Sequence, residues 1–127
     1  MQLTINDFCT NMLRLDRGIR FVGVANREGK LIGHAYRKGI VPLLTPKETE
    51  VSVLQSFIRM GTRATLEQKI GETVYAFTMY RKVKRVTIPL RNASKITHIF
   101  MVSFDLDTDH EPIIINKIIP ELENLVL

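Results

Sequence analysis

The sequence predicts an α+β fold: a five-stranded antiparallel sheet with helices on both faces. Three consecutive runs, residues 73–80, 82–89 and 96–105, are rich in Val, Ile, Thr, Tyr and Phe and are bounded by polar residues, as strands are. The first and third runs carry apolar side chains on both alternating faces, which is typical of a sheet covered on two sides. Apolar stripes at helical spacing lie before, between and after the strands.

Length and composition bound the class of protein. The 127 residues fit one domain, residues 1–127, that buries a core without disulfides. With 45% hydrophobic and 24% charged residues, the chain is not of the disordered class. The single cysteine, Cys9, fits a reducing compartment. No apolar run reaches membrane-spanning length and no signal peptide is recognisable, so we expect a cytoplasmic protein without membrane insertion.

The first third of the chain predicts a helix followed by a β-hairpin. Apolar residues recur at helical spacing from about residue 4 to residue 15, and Thr4 is placed to cap the helix. Strands are predicted at 19–25 and 30–36. The connection 26–29 begins with Asn and ends with Gly, as a type I turn with a following glycine prefers.

Two glycines, Gly23 and Gly33, lie inside these hairpin strands. Glycine weakens a strand unless another backbone or a ligand approaches closely. One interpretation is that a helix packs across the hairpin. The other is that both glycines, with Tyr36, Tyr75 and Phe77, line a ligand pocket.

The clearest local signal opens the middle helix. Thr45 stands at the N-cap, Pro46 at the first helical position and Glu48 at the third, which is a capping box. The helix is predicted to run to about residue 60, where Gly61 ends or kinks it. Its apolar residues wrap more than half of the circumference, although a helix on one sheet face needs only one stripe. The extra apolar side indicates a second partner surface.

Two prolines are expected to interrupt elements. Pro89 cannot donate to a ladder and therefore marks the end or the edge of the strand at 82–89. The last helix has an apolar stripe through residues 115–126, and Pro120 inside it should kink it or turn its early part into a separate element.

No residue constellation matches a catalytic or metal signature, so neither an enzyme activity nor a cofactor is predicted. The run 105–109 resembles the opening of a calcium loop, but His110 and Asn116 stand where that loop needs Gly and Glu. A strand end followed by an acidic helix cap is the favoured interpretation. His34 and His98 have no paired ligand spacing and are expected to be packed or exposed.

The densest basic patch lies in and around the second strand of the trio and comprises Arg81, Lys82, Lys84, Arg85 and Arg91. A basic strand beside Tyr80 can bind nucleic acid, and the net charge of +5 permits this. Charge on an edge strand also blocks unwanted sheet pairing, so a solvated or partner-facing edge is favoured.

The element order, helix, two strands, helix, three strands, helix, resembles the roadblock (dynein light chain) superfamily of the profilin-like group. The resemblance implies the middle helix on one sheet face and the terminal helices on the other, homodimers, and a regulatory role, often toward small GTPases. Residues 71–89 and 101–107 also resemble small uncharacterised proteins of ammonia-oxidising archaea, which offer no activity to carry over. PAS and GAF sensor folds likewise combine a sheet with flanking helices, and fold alone does not assign function.

We therefore expect a non-catalytic regulatory or scaffold module that homodimerises and binds a partner protein, with a small GTPase as the implied partner. The alternatives are a small-molecule sensor and a weak nucleic-acid binder. The dimer is predicted to form through the extra side of the middle helix and the run 73–80, which is an edge strand in the roadblock order. The expected interface residues are Val53, Phe57, Met60, Tyr75 and Phe77. The competing interpretation is that all five face the protein's own core.

Overall fold

The computed structural model describes residues 4–127. Its strands are β1 (Ile19–Asn26), β2 (Leu31–Tyr36), β3 (Ala76–Met79), β4 (Lys84–Asn92) and β5 (Lys95–Phe104). They form an antiparallel sheet in the order β2-β1-β5-β4-β3, so β2 and β3 are its edges. The helical elements are α1 (Ile5–Leu13), α2 (Pro46–Ala64), α3 (Glu67–Ile70), α4 (His110–Ile113), a π-helical turn (Ile114–Ile118) and α5 (Ile119–Leu122). No helix among the described residues is long and apolar enough to span a bilayer.

The helices cover both faces of the sheet, and the predicted fold class is confirmed. α1 and the C-terminal helical segment bury the larger core, which contains Phe100 and Val102 of β5. α2 covers the other face and buries a smaller core with Ile99 and Met101 of the same strand. Successive side chains of a strand point to opposite faces, so β5 must be apolar on both.

The capping box predicted at the start of α2 is present. The Glu48 N–H donates to Thr45 Oγ1 at 3.1 Å, and the Thr45 N–H donates to the Glu48 carboxylate at 2.9 Å. Of the two alternatives expected for Gly61, the end of the helix is wrong, because α2 continues to Ala64. A single glycine weakens a helix without breaking its hydrogen bonds.

The two prolines act differently from each other. Pro89 does not end β4 but is buried inside it, between β5 and the edge strand. The β3 ladder stops opposite Thr87, so within residues 4–127 no strand on that side of Pro89 needs an N–H donor from it. The disruption expected at Pro120 takes the form of the π-helical turn directly before α5, since a proline ring prevents regular helical bonding to the preceding turn.

Alanine substitutions at two glycines are predicted to change the stability of the protein in opposite directions. A Cβ on Gly33 would collide with the Ile5 side chain and lie 3.1 Å from the Ile5 carbonyl carbon, because α1 crosses β2 at this point. A Cβ on Gly61, on the exposed side of α2, would meet nothing within 4 Å. We expect Gly33→Ala to lower the free energy of unfolding by about 1–3 kcal/mol. Gly61→Ala should raise it by about 0.5–1 kcal/mol.

Urea denaturation followed by circular dichroism measures both changes. Gly61→Ala serves as the matched control, because the same methyl group is added where there is space. A Gly33→Ala protein as stable as the wild type would contradict the close approach of α1.

Candidate functional site

The α2 residues predicted at a dimer interface belong to the chain's own core. Val53 and Met60 are each 1% exposed and pack on the sheet, and Phe57 packs half-buried beside them. Their spacing of seven residues, or two helical turns, brings Val53 and Met60 to the same side of α2. These two residues are therefore not surface residues of the chain, which corrects their assignment to an interface.

A second apolar stripe lies on the opposite, outer side of α2. It consists of Val51, Leu54 and Ile58, which are 47%, 45% and 69% exposed. Their spacing of three and four residues places them in a row along the helix. We call this row the outer stripe. The sequence predicted an extra apolar side of the helix, and the structure places Val51, Leu54 and Ile58 there instead of Val53 and Met60.

The two aromatic residues predicted at the interface lie on or beside β3. Tyr75 packs against the larger core. Phe77 stacks on His110 with ring centroids 4.1 Å apart and planes within 8° of parallel. Burial, assisted by the positive charge of Lys84, lowers the pKa of His110 and so favours the neutral ring in this stack. Both aromatic side chains thus lie toward the terminal helices, away from α2.

The two edge strands of the sheet differ in whether a side chain bonds to their outer backbone. At β2, the side chain of Asn6 in α1 accepts a hydrogen bond from the His34 N–H at 2.9 Å. At β3, no side chain within residues 4–127 bonds to the backbone of Ala76–Met79. An uncovered edge offers its N–H and C=O groups to another strand. The edge position expected for this strand is confirmed.

The basic residues predicted as one patch are separated by the fold. Lys84 is 8% exposed, faces the terminal helices, and donates from Nζ to the Thr108 carbonyl at 2.6 Å. Arg91 pairs with Glu67 at 2.7 Å and with Glu72 at 3.3 Å. Only the remaining three, Arg81, Lys82 and Arg85, reach the α2 face of the sheet together.

A cleft of about 710 Å³ opens on this face. It lies between α2, the segment 40–44 and the adjoining ends of the strands. Ser52 and Ser56 are the α2 residues buried beside it, and their small side chains leave space that larger ones would fill. Phe21, Tyr36 and Met101 contribute apolar surface to its walls.

Only one of the residues predicted to line a pocket belongs to this cleft, namely Tyr36. Gly33 lies under Ile5 of α1, and Gly23 lies under Phe21 and Leu31. The interpretation that a helix packs across the hairpin therefore fits Gly33. Sequence reasoning missed most of the cleft, because its walls come from segments far apart in the chain.

The cleft is strongly basic. Its cationic lining residues are Arg20, Lys47, Arg59, Arg63, Arg81, Lys82 and Arg85, against Glu48 as the one carboxylate among the lining residues. Hydrogen bonds from Thr45, first from its backbone N–H, lower the pKa of Glu48, whose charge is engaged in the helix cap. Arg20 pairs with Asp105 at 3.2 Å. The other six cations have no ion-pair partner among residues 4–127.

Asp105, which opens the calcium-like run, is held by arginine side chains. Arg37 donates to both of its carboxylate oxygens at 2.8 and 3.0 Å, and Arg20 donates to one of them at 3.2 Å. Residues 4–127 contain no group of three or more His, Cys, Asp or Glu side chains placed to hold a metal ion. The geometry agrees with the interpretation of this run as a strand end.

The histidines and the cysteine lie apart. His34 is on β2 beside Phe21 and Tyr36, and His98 is on β5 beside Thr97. Cys9 is fully buried in the larger core, where burial raises the pKa of its thiol to about 12. A thiol with such a pKa is a poor nucleophile at neutral pH.

No family model matches this sequence, and no curated protein matches it. Among solved structures, the chain resembles MglB in a tetrameric arrangement (TM-score 0.65, 12% identity, 92% of this chain and 78% of that chain covered). It also resembles a roadblock/LC7 domain from Streptomyces avermitilis (TM-score 0.61, 7% identity, 95% and 99% covered). A third similar structure is a double mutant of the PobR transcription factor inducer-binding domain from Acinetobacter, in complex with 3-hydroxybenzoic acid (TM-score 0.55, 9% identity, 98% and 95% covered).

At these identities the likeness concerns the fold. The chain has the roadblock/LC7 fold, as its element order predicted. The resemblance of residues 71–89 and 101–107 to archaeal proteins is a separate matter, and it stays a prediction.

The hydrogen bonds of Asp105 with Arg20 and Arg37 predict that the stability of the protein depends on pH. Hydrogen bonds from Arg37, with a contribution from Arg20, lower the pKa of Asp105 below its ordinary value of about 3.9. A carboxylate with a lowered pKa stabilises the fold when the pH is above its pKa in the unfolded state. This contribution is lost as the pH falls through its pKa in the folded state. We expect Asp105→Asn to be less stable than the wild type above about pH 5, and the difference to shrink below about pH 4.

Urea titrations between pH 3 and pH 7 measure this difference. Asp107→Asn is the control, because Asp107 is exposed and makes no ion pair among residues 4–127. A difference between wild type and Asp105→Asn that is as large at pH 3 as at pH 7 would contradict the role of the ionised carboxylate.

Proposed function

We propose that this protein is a non-catalytic regulatory module of the cytoplasm that forms homodimers and acts by binding a partner protein. The observation that carries the proposal is the exposed outer stripe of α2, together with an edge strand whose backbone is uncovered within residues 4–127. Ala76 of β3 packs against the smaller core beneath α2, and it lines the cleft together with Ser52 and Ser56 of that helix, so the strand and the helix border the same face of the sheet. A second copy of the chain is the occupant that these two features fit best.

A two-fold axis explains why a copy of the same chain suits this surface. In such an interface each patch meets its own copy, so β3 can pair with β3 while the two α2 helices approach each other. Three apolar side chains in each of two copies give six in total, and because each is about half exposed in the monomer, the six together contribute about 5–9 kcal/mol. That sum is comparable to the association cost of about 4–15 kcal/mol.

Support also comes from a protein of the same fold. The MglB structure similar to this chain is described as having a tetrameric arrangement, so that protein self-associates. The roadblock resemblance further implies a small GTPase as the regulated partner. Dimer and partner are both parts of this proposal.

A small-molecule sensor is the second candidate function. The observation that favours it is the 710 Å³ cleft beside α2, a size suited to a ligand. The inducer-binding domain of PobR, which has a similar fold, is bound to 3-hydroxybenzoic acid. The nucleic-acid alternative has less support, because Lys84 and Arg91 of the predicted basic patch are held by other contacts.

We expect Ile58→Glu to dissociate the dimer while keeping the fold. The side chain is 69% exposed, so a carboxylate is solvated in the monomer but must lose water in the interface. Because the change occurs twice per dimer, the dissociation constant should rise by about two orders of magnitude or more. Sedimentation velocity at micromolar concentration measures this, with circular dichroism to verify the fold.

Ile70→Glu provides the matched control, because Ile70 is exposed on α3, outside the outer stripe. It should leave the dimer intact. A wild-type protein that is monomeric at these concentrations would remove the dimer from the proposal. Val53→Glu is unsuitable as a test, since burial of that residue means the change would unfold the protein.

For the partner, we expect capture from a native lysate to depend on the guanine nucleotide that is added. A GTPase changes its switch loops with the γ-phosphate, so a regulator distinguishes the two states. Immobilised wild-type protein is incubated with lysate that contains either a non-hydrolysable GTP analogue or GDP. The sets of proteins captured under the two conditions are then compared. Identical sets of captured proteins under the two conditions would argue against a GTPase partner.

A further inference from the structure

We propose that the cleft binds a small organic anion, a carboxylate or a phosphate attached to an apolar body, and that Arg85 is the residue that anchors the anion. The proposal rests on ligand sensing, the second function above, and specifies the chemical class of the ligand. Three observations lead to it: the surroundings of Arg85, the walls of the cleft, and the charge around its mouth.

Arg85 is a half-buried guanidinium without a counter-ion among residues 4–127. It donates from Nη2 to Ser52 Oγ at 2.7 Å, and its Cζ lies 6.0 Å from the centre of the Tyr80 ring. These contacts hold the group in place but leave most of its five N–H donors without a protein acceptor. A partly buried cation without a partner is costly, and an anion in the cleft would remove that cost.

The position of Ser52 is itself fixed. Ser52 is 8% exposed, and Ser56 donates from its hydroxyl to the Ser52 carbonyl at 2.9 Å. The Ser52 hydroxyl oxygen, on this buried side of α2, is the acceptor for Arg85. This arrangement orients the guanidinium before any ligand enters, and preorganised donors bind more tightly than mobile ones.

The walls determine the rest of the ligand. Phe21, Tyr36, Val83 and Met101 contribute apolar surface to the same cleft as Arg85. Ligand sites are commonly clefts of about 300–1,000 Å³ with mostly apolar walls and a few placed polar groups. A guanidinium matches the paired oxygens of a carboxylate or phosphate. The combination therefore favours an amphipathic anion over a bare inorganic ion or a neutral compound.

Other cations surround the opening. Arg59 and Arg63 come from α2, and Arg81 and Lys82 come from the β3–β4 connection. None of the four has an ion-pair partner in the described part of the chain. Concentrated positive charge raises the local concentration of anions and their rate of entry. These residues attract the ligand, whereas Arg85 sets its position.

The test uses the 127-residue protein and four probes in isothermal titration calorimetry at low salt. 1-Naphthoate and 1-naphthyl phosphate carry the two anionic groups on one apolar body. 1-Naphthamide is the neutral analogue, and inorganic phosphate is an anion without an apolar body. We expect the better naphthyl anion to bind at least about tenfold more tightly than the amide and than inorganic phosphate. Which anion binds better distinguishes a carboxylate site from a phosphate site.

Variants then locate the bound anion. Arg85→Gln should weaken binding of the better anion by about tenfold or more, because the charge-assisted hydrogen bonds are lost. Arg85→Lys keeps the charge and should weaken binding less. Arg27→Gln removes the same charge from the exposed β1–β2 turn, outside the cleft, and should bind as the wild type does. Circular dichroism verifies that each variant is folded.

The outcomes separate the two levels of the proposal. If 1-naphthamide binds as tightly as the anions, the anion claim fails but a ligand site remains. If no probe binds at 10 mM, a concentration of about ten times a weak millimolar Kd, both the anion site and the sensor function fail. If Arg85→Gln and Arg27→Gln weaken anion binding equally, the anion is attracted by net charge alone. That result would refute the claim that Arg85 anchors the anion.

Discussion

The docking of α2 on the sheet is the constraint on which the rest of this face depends. The helix is held by Val53 and Met60, which are buried against Ile99 and Met101 of β5. Two serines complete the buried side, and they fill little volume. The same docking turns the outer stripe to solvent. One helix orientation therefore creates a core, a cleft and an exposed apolar row.

The cleft and the outer stripe are adjoining surfaces, since Val51 belongs to both. Where binding at one site changes the free energy of binding at another, the coupling is reciprocal. If a second copy covers the stripe, Val51 is the contact through which the proposed ligand and the proposed dimer would affect each other.

The face of the sheet that is opposite α2 holds the sheet and its edge strand in place. α1 and the C-terminal helical segment enclose the larger core, and Lys84 ties β4 to the segment before α4 through the Thr108 carbonyl. Phe77 stacks on His110 and anchors the edge strand to that side. β3 thus keeps its outer backbone uncovered within the described residues while its Phe77 side chain is held by the stack on His110. A fixed strand loses less entropy on pairing than a mobile one.

The sequence by itself determined the elements and their order, because turn chemistry, capping and apolar periodicity act over a few residues. The capping box at Thr45 and the two-sided burial of β5 follow from such local rules. Only the tertiary structure decided which side of α2 is buried, since Val53 and Ile58 are equally apolar and the choice depends on contacts with β1 and β5. It also decided that Lys84 meets Thr108, that Arg91 meets Glu67, and that Arg85 has no carboxylate partner within residues 4–127. Charges separated in sequence are brought together or kept apart by long-range packing, which a periodic pattern does not encode.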